Sequence, residues 1–352
     1  MHKLTIVNRS KIRPDVLKIM DTYLNVRPKF IESFYKKEGK KEFDYESLMQ
    51  KVMEGNERSF KGEDMSDFLT KDEQLFIAKF LRFSGESGSN YLQKKYPINK
   101  NVKLEPIHAD GVPAEWQIVP GAKEERVLLY FHGGGFILGS VNGHRLSTVL
   151  LGMVTKMRVL SVDYRLAPEH PHPAPLEDST TVYKWLLSEG FKAKNIIIAG
   201  DSAGGNLTLT TLLKLKEDGI SMPAGAFCLS PRTLYEIENT SFLKNAETDV
   251  FLGDSGLFWW SEAHLSGTDP HDPLVTPIYG NLKGLPSLLL QVSNSEMLYD
   301  DSVLFVEKAK AAGVDASLEE WDDMMHVFQY FGLPESKKAL DNIGKFVQRL
   351  FK

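Results

Sequence analysis

Two glycine-rich motifs in this 352-residue chain hold residue types that can do chemistry: His132-Gly133-Gly134-Gly135-Phe136 and Gly200-Asp201-Ser202-Ala203-Gly204. The second places a serine between two glycines. It directly follows the apolar run Ile196-Ile197-Ile198-Ala199 and opens a helical stretch from Asn206 to Lys216. A serine on a sharp strand-to-helix turn projects its hydroxyl clear of the backbone, where it can act as a nucleophile. The glycines of the first motif let backbone N–H groups approach an oxygen that gains negative charge, because no side chain obstructs them. Together the motifs point to acyl-bond cleavage on Ser202, with Gly134, Gly135 and Ala203 as oxyanion donors. No Gly-Lys-Ser/Thr follows the first motif, so it is not a phosphate loop.

A serine hydroxyl needs a base within hydrogen-bond reach, and the base needs an orienting acid. Where a serine sits on an elbow of the α/β-hydrolase kind, the chain order is serine, acid, histidine. The base must then follow Ser202, which leaves His264, His271 and His326. His326 lies in Met324-Met325-His326-Val327-Phe328, just past the last strand candidate and at the sheet edge the elbow faces, and is the expected base. His264 and His271 fall in an inserted segment and are expected at the surface or in a lid. The acid should follow the preceding strand, where Ser293-Asn294-Ser295-Glu296-Met297-Leu298-Tyr299-Asp300-Asp301 offers three carboxylates. Glu296 is nearest the strand end and is the first choice, with Asp300 the alternative. Asp300 and Asp301 also suit the first turn of a helix without any catalysis. His170 and His172 alternate with prolines, and the chain has no His-Glu-x-x-His or paired-cysteine spacing, so a structural turn is expected there and no metal site.

These residues must be positioned by alternating strands and helices. Apolar strand candidates are Val127 to Phe131, Val159 to Val162, Ile196 to Ala199, Gly225 to Leu229, Ser287 to Val292 and Ala316 to Trp321. Helical stretches fall at about 142–157, 176–189, 203–218 and 302–312, and a last one carries Leu340, Ile343, Val347 and Leu350 on one face. This pattern predicts a mostly parallel sheet covered on both faces. Residues 101–352 read as the catalytic domain, with 231–285 as a helical cap insertion that includes Phe258-Trp259-Trp260. Residues 1–100 read as helices contributing to the cap. Val16, Ile19, Met20, Tyr23 and Leu24 share one helical face. Thr70 and Glu73 form a capping-box pair ahead of Leu75, Phe76, Phe80 and Leu81, and Gly85 is expected to end that helix.

Composition bounds the alternatives. Hydrophobic residues make up 42% of the chain, and the net charge of −5 gives no support to nucleic-acid binding. Lys36-Lys37 and Lys40-Lys41 are expected at a solvated helix end. Cys228 is alone and cannot form an internal disulfide; it is expected as an inert strand residue. No run approaches the ~20 apolar residues of a membrane span. Leu4 to Val7 is too short for a signal-peptide core. A soluble cytoplasmic protein without membrane insertion is the expectation.

The chain resembles the hormone-sensitive lipase family of carboxylesterases from about Val102 to Gln329. The blocks that carry the resemblance are His132 to Phe136 with Gly139-Ser140, Asp163-Tyr164-Arg165-Leu166-Ala167-Pro168-Glu169, Pro173 to Asp178, Gly200 to Asn206, Ser295 to Asp301, and Met325-His326-Val327-Phe328. The acid block is similar to the branch that uses glutamate, which supports Glu296. The resemblance implies an α/β-hydrolase fold with a helical cap, hydrolysis of short- to medium-chain esters of small molecules by Ser202, Glu296 and His326, no cofactor, and a possible homodimer. It leaves an amidase or deacetylase of the same mechanism, a lipase, or a non-catalytic receptor as rivals. The chain departs from the family at Arg232, where tryptophan is frequent, and at Ser293 and Asp323, where glycine is usual.

Overall fold

The computed structural model describes residues 7–352 apart from 39–42, 60, 62, 64, 66–67, 236–239 and 254–256. The apolar stretch Leu4 to Ile6, Lys40-Lys41 and the side chains of Tyr23, Leu24 and Phe258 lie outside the described residues. The strands are β1 (Lys103–Ala109), β2 (Val112–Ile118), β3 (Lys123–Phe131), β4 (Met157–Val162), β5 (Ile196–Asp201), β6 (Gly225–Leu229), β7 (Ser287–Ser293) and β8 (Ala316–Trp321). They form one sheet in the order β1-β2-β4-β3-β5-β6-β7-β8. From β4 to β8 every neighbouring pair is parallel. The strands predicted from the apolar runs are all present. The hairpin β1–β2 is an addition: it is antiparallel, turns on Asp110-Gly111 with φ of 50° and 92°, and pairs antiparallel with β4. Both turn residues are left-handed, as a two-residue hairpin loop requires.

The helices are α1 (Pro14–Glu38), α2 (Tyr45–Ser59), α3 (Lys71–Lys95), α4 (Val141–Thr155), α5 (Ala174–Ser188), α6 (Ala203–Glu217), α7 (Thr240–Lys244), α8 (Leu257–Leu265), α9 (Tyr299–Ala311) and α10 (Pro334–Leu350). Alternation along the strands assigns two faces. Val127, Leu129, Phe131, Ile196 and Ile198 pack with Val182, Tyr183 and Leu186 of α5, Leu209 of α6 and Phe305 of α9. The Tyr183 hydroxyl escapes an unmet burial by donating to the Ser221 carbonyl at 2.7 Å. The intervening residues Leu128, Tyr130, Ile197, Ala199 and Phe227 face Leu151 of α4 and Leu340, Ile343, Phe346 and Val347 of α10. Each fully buried aliphatic side chain contributes ~1.5–3 kcal/mol, so both layers hold the sheet. Cys228 is buried in β6, as expected, and burial pushes its thiol pKa up.

The N-terminal helices are built onto the sheet and its loops. Phe34, Tyr45, Val52, Phe76, Ile77 and Phe80 form one cluster with Ile137 and Ala167 of the sheet's loops and with Trp259 and Ala263 of α8. At the other end of α1, Val16 packs with Met324, Met325 and Phe328, while Arg13 pairs with Glu335 at 3.0 Å. The capping box forms: Glu73 N donates to Thr70 Oγ1 at 3.3 Å, and Thr70 N donates to Glu73 Oε2 at 2.8 Å. Among the described residues, no helix is long and apolar enough to cross a membrane.

The expected end of α3 at Gly85 is overturned. The helix runs through Gly85 and Gly88 to Lys95. Glycine lowers helix propensity by only ~1 kcal/mol. Contacts beyond it outweigh that: Glu86 accepts from Ser140 and Asn142, and Ser89 donates to the Asn142 carbonyl at 2.8 Å. A Cβ at Gly85 or Gly88 would meet nothing within 4 Å. Gly85→Ala and Gly88→Ala are therefore each expected to stabilise the protein by ~0.4–1 kcal/mol. Thermal unfolding should show a higher midpoint for both; a lower one would mean that the glycines serve a need other than helix continuity.

Candidate active site

The Ser202 elbow is set by backbone crowding. Ser202 joins β5 to α6 with φ 52° and ψ −117°, a sparsely populated conformation for a residue with a side chain. A Cβ on Gly204 would lie 2.0 Å from the Phe131 carbonyl oxygen, and one on Gly200 would lie 2.3 Å from that of Gly204. Only glycine fits at either position, so β3, β5 and α6 meet at van der Waals distance. The turn is held by Ser202 N donating to Leu229 O at 2.8 Å and by Arg232 N and Asn206 N donating to Ser202 O at 3.3 and 3.0 Å.

The glycine loop after β3 lies beside this elbow. Gly134 and Gly135 have φ of 119° and 60°, and the Gly134 carbonyl accepts from Ile137 N and Leu138 N, both at 3.0 Å. Among the described residues, the amides of Gly134, Gly135 and Ala203 have no acceptor; Ala203 is the first residue of α6, where N–H groups lack intrahelical partners. The buried carboxylate of Asp201 accepts from Gly133 N at 3.0 Å and from the Tyr130 hydroxyl. His144 Nε2 stands 3.7 Å from its other oxygen. Burial alone would raise the Asp201 pKa, but His144 and Tyr130 outweigh it and hold it below the usual carboxylate value. His132 stacks on Tyr164 at 4.3 Å, and burial pushes its pKa down to about 3, so it stays neutral. From outside, Arg82 of α3 donates to the Ile137 and Ala167 carbonyls, each at 2.7 Å, and pairs with Glu169 at 2.8 Å.

His326 and Glu296 come from the loops after β8 and β7. His326 Nδ1 lies 3.6 Å from Glu296 Oε1, and both side chains are buried. Glu296 Oε2 accepts from the Ser230 hydroxyl at 2.9 Å. Burial disfavours charge on His326, yet Glu296 outweighs it and raises the imidazole pKa above its ordinary value. Burial also raises the Glu296 pKa, against the pull of His326 and Ser230. Neither ring nitrogen of His326 hydrogen-bonds to a described residue. Asp300 and Asp301 are engaged elsewhere. Asp300 accepts from Ser241 N at 2.8 Å, and Asp301 accepts from Thr233 N and Leu234 N at 2.6 and 2.8 Å. Ser293, one of the departures from the family pattern, ties the two loops together: its hydroxyl donates to Met324 O at 2.8 Å and accepts from Met324 N at 3.1 Å. Asp323, the other departure there, takes φ 53°, the left-handed conformation usual for glycine.

His264 lies on α8 within the inserted segment, but it is not at the surface, which corrects that half of the expectation. It is buried, because its ring stacks on Phe136 at 3.7 Å and 5°. His271 is exposed beside Asp269 at 3.2 Å. The amide of His172 donates to the His264 carbonyl at 2.8 Å, which fastens the proline-rich turn to α8. No group of side chains that could hold a metal ion occurs among the described residues. A small pocket lies at Ser202, walled among others by Phe136, Tyr235, Leu257, Trp260 and Leu298. Trp260 lies so close to the glycine loop that a Cβ on Gly135 would meet its ring at 2.2 Å. Sequence reasoning misses Arg82, Tyr130, His144 and Trp260 as parts of this site. Of these, Tyr130, two residues before His132, and His144, twelve after it, sit near a motif that gives a signal.

Comparison with known proteins agrees with this architecture. A family model described as the alpha/beta hydrolase fold matches residues 128–330. An acetyl-hydrolase of Streptomyces hygroscopicus is 38% identical over 237 residues, covering 67% of this chain and 79% of the relative. An esterase of Acinetobacter venetianus is 38% identical over 262 residues, covering 74% and 86%. The crystal structure of an esterase from the bacterial hormone-sensitive lipase family superposes with a TM-score of 0.74 at 38% identity, covering 88% of this chain and all (100%) of that one. The elbow, the glycine loop, the parallel sheet and these relatives together place the chain in the hormone-sensitive lipase family of the α/β-hydrolases.

Proposed function

We propose that the chain is a carboxylesterase that cleaves short- to medium-chain esters through an acyl-enzyme on Ser202, with His326 as base and Glu296 as its orienting acid. The observation that carries this reading is the buried His326–Glu296 pair at 3.6 Å, on strand ends that follow the Ser202 elbow in the sheet. Esterase and acetyl-hydrolase relatives support the reaction class. The apolar side chains that wall the space at Ser202, among them Phe136, Leu257 and Leu298, support a small acyl group.

His326 takes the Ser202 proton as the hydroxyl oxygen attacks the ester carbonyl. The resulting oxyanion is held by the amides of Gly134, Gly135 and Ala203, each donor of this kind contributing ~10²–10³ in turnover. The imidazolium then protonates the departing alcohol. In the second half, His326 activates a water that releases the acid and restores the serine. The 3.6 Å separation closes as substrate arrives, since hydrogen bonds of this type tighten in the reacting complex. The helices of residues 1–100 and the 231–285 insertion form the cap in this reading, which the shared cluster around Phe34 and Trp259 supports. The outer edge of β8, unpaired among the described residues, supports a homodimer, and the single buried cysteine is consistent with a cytoplasmic location.

Ser202→Ala is expected to lower kcat on p-nitrophenyl butyrate by on the order of 10⁶-fold and to abolish labelling by a fluorophosphonate probe. Unchanged turnover would overturn the assignment of the nucleophile. The neutral imidazole is the active form, so activity is lost as pH falls through the His326 pKa, which Glu296 holds above the ordinary value. Glu296→Gln removes that support. The acidic limb of kcat/KM should then move to lower pH, with kcat down by up to ~10⁴-fold. The same change at Asp300, to asparagine, should leave the limb where it is; the reverse pattern would transfer the acid role to Asp300.

A further inference from the structure

The wall of the cavity at Ser202 contains one charged residue among those described, Arg232. Its backbone amide bonds Ser202 O at 3.3 Å, so the side chain starts beside the nucleophile. The guanidinium stacks over the Tyr235 ring at 4.3 Å and uses Nε to reach Leu234 O at 3.2 Å. Its two terminal nitrogens, which carry four N–H donors, have no hydrogen-bond partner and no ion pair among the described residues.

These donors are not buried, so solvent reaches them, and a ligand acceptor can take the place of that water beside the nucleophile. The carboxylate that acts on the guanidinium electrostatically, Asp301, is committed to another task. Asp301 is buried and holds the amides of Thr233 and Leu234. Burial pushes its pKa up to about 7, so much of its negative charge is missing near neutral pH. Trp260 lines the same cavity, and its buried Nε1 has no partner among the described residues. The remaining wall offers apolar groups, chiefly Phe136, Leu252, Leu257 and Leu298. A cavity with this lining recognises a small ligand that is apolar next to the ester and rich in acceptors at its far end.

We propose that Arg232 is a specificity-determining residue that directs this enzyme to short esters carrying a carboxylate, the planar acceptor that a guanidinium fork matches. The proposal rests on the esterase reading above and adds the substrate class. Hydrolysis itself is unchanged: water adds to the acyl group, the alcohol leaves, and the distal carboxylate takes no part beyond its contact with Arg232.

The test pairs each anionic ester with an uncharged isostere. Monoethyl glutarate and ethyl 5-oxohexanoate differ only in carboxylate against methyl ketone on the acyl side. 3-Acetoxypropanoate and 4-acetoxybutan-2-one make the same comparison on the alcohol side. Acid release is followed in a pH-stat. The wild type should favour the anionic member of at least one pair by about tenfold to a hundredfold in kcat/KM, mainly through KM. Arg232→Gln should abolish that ratio, and Arg232→Lys should keep part of it. Each ratio is measured within one protein, so a general loss of activity cancels. Equal rates for both members of both pairs in the wild type would overturn the proposal while leaving the esterase reading intact, as would a preference that survives in Arg232→Gln. No turnover of any of the four esters, with p-nitrophenyl butyrate also untouched, would instead sink the esterase reading.

Discussion

The buried carboxylate of Asp201 fixes where the candidate nucleophile sits relative to the candidate oxyanion donors. It is the residue before Ser202, and it accepts the amide of Gly133, the residue before the two loop glycines. A single charged group therefore ties the end of β5 to the loop that leaves β3. Its charge is balanced locally by His144 at 3.7 Å and by the Tyr130 hydroxyl, which in turn meets Tyr330 at 2.6 Å. A buried charge is tolerated only when polar groups answer it, and these groups do so from several separate segments. The cost of burying Asp201 is thus converted into a fixed distance between two loops that the sheet alone would leave free to drift.

A second layer of support comes from outside the sheet. Arg82 reaches from α3 to the carbonyl of Ile137, at the end of the glycine loop, and to that of Ala167 beside it. Val16 of α1, with Arg13 just before it, presses on the segment around His326 and on the start of α10. The N-terminal helices are therefore more than a cover. One buttresses the loop with the candidate oxyanion donors and another buttresses the loop with the candidate base, so the site is enclosed by groups that also hold it in register.

How much of this is legible in the sequence depends on where the information resides. Strands β4 to β7 and the second half of β3 are buried on both faces, which leaves continuous apolar runs that can be read directly. β1 is mostly exposed and carries Glu105 and Pro106, so it has no such run; Asp110-Gly111 is the local mark of its hairpin. The motifs single out Ser202, Glu296 and His326 as candidates, because the strand–loop order narrows where a base and an acid could lie. They do not locate Arg82, whose partners are backbone carbonyls more than fifty residues away and leave no side-chain pattern. Gly85 reads as a stop because propensity is local, while Glu86 and Ser89 find their partners across the fold. The burial of His264 is hidden for the same reason: it is decided by Phe136, far away in the chain.

The attachment of α1 has a consequence for how the chain comes to be. Its ion pair with the start of α10 joins Arg13 to Glu335, 322 positions apart. During synthesis α1 leaves the ribosome long before Met324, Met325, Phe328 and Glu335 are made. At a synthesis rate of roughly 5–20 residues per second, the Val16 end of α1 waits for a time on the order of tens of seconds before its partners exist. The bracing that steadies the histidine loop in the finished enzyme is thus also a long-range closure. It makes the N-terminal end of an early helix one of the last segments to find its place, while Phe34 at the other end can meet Phe76 and Phe80 soon after they are made.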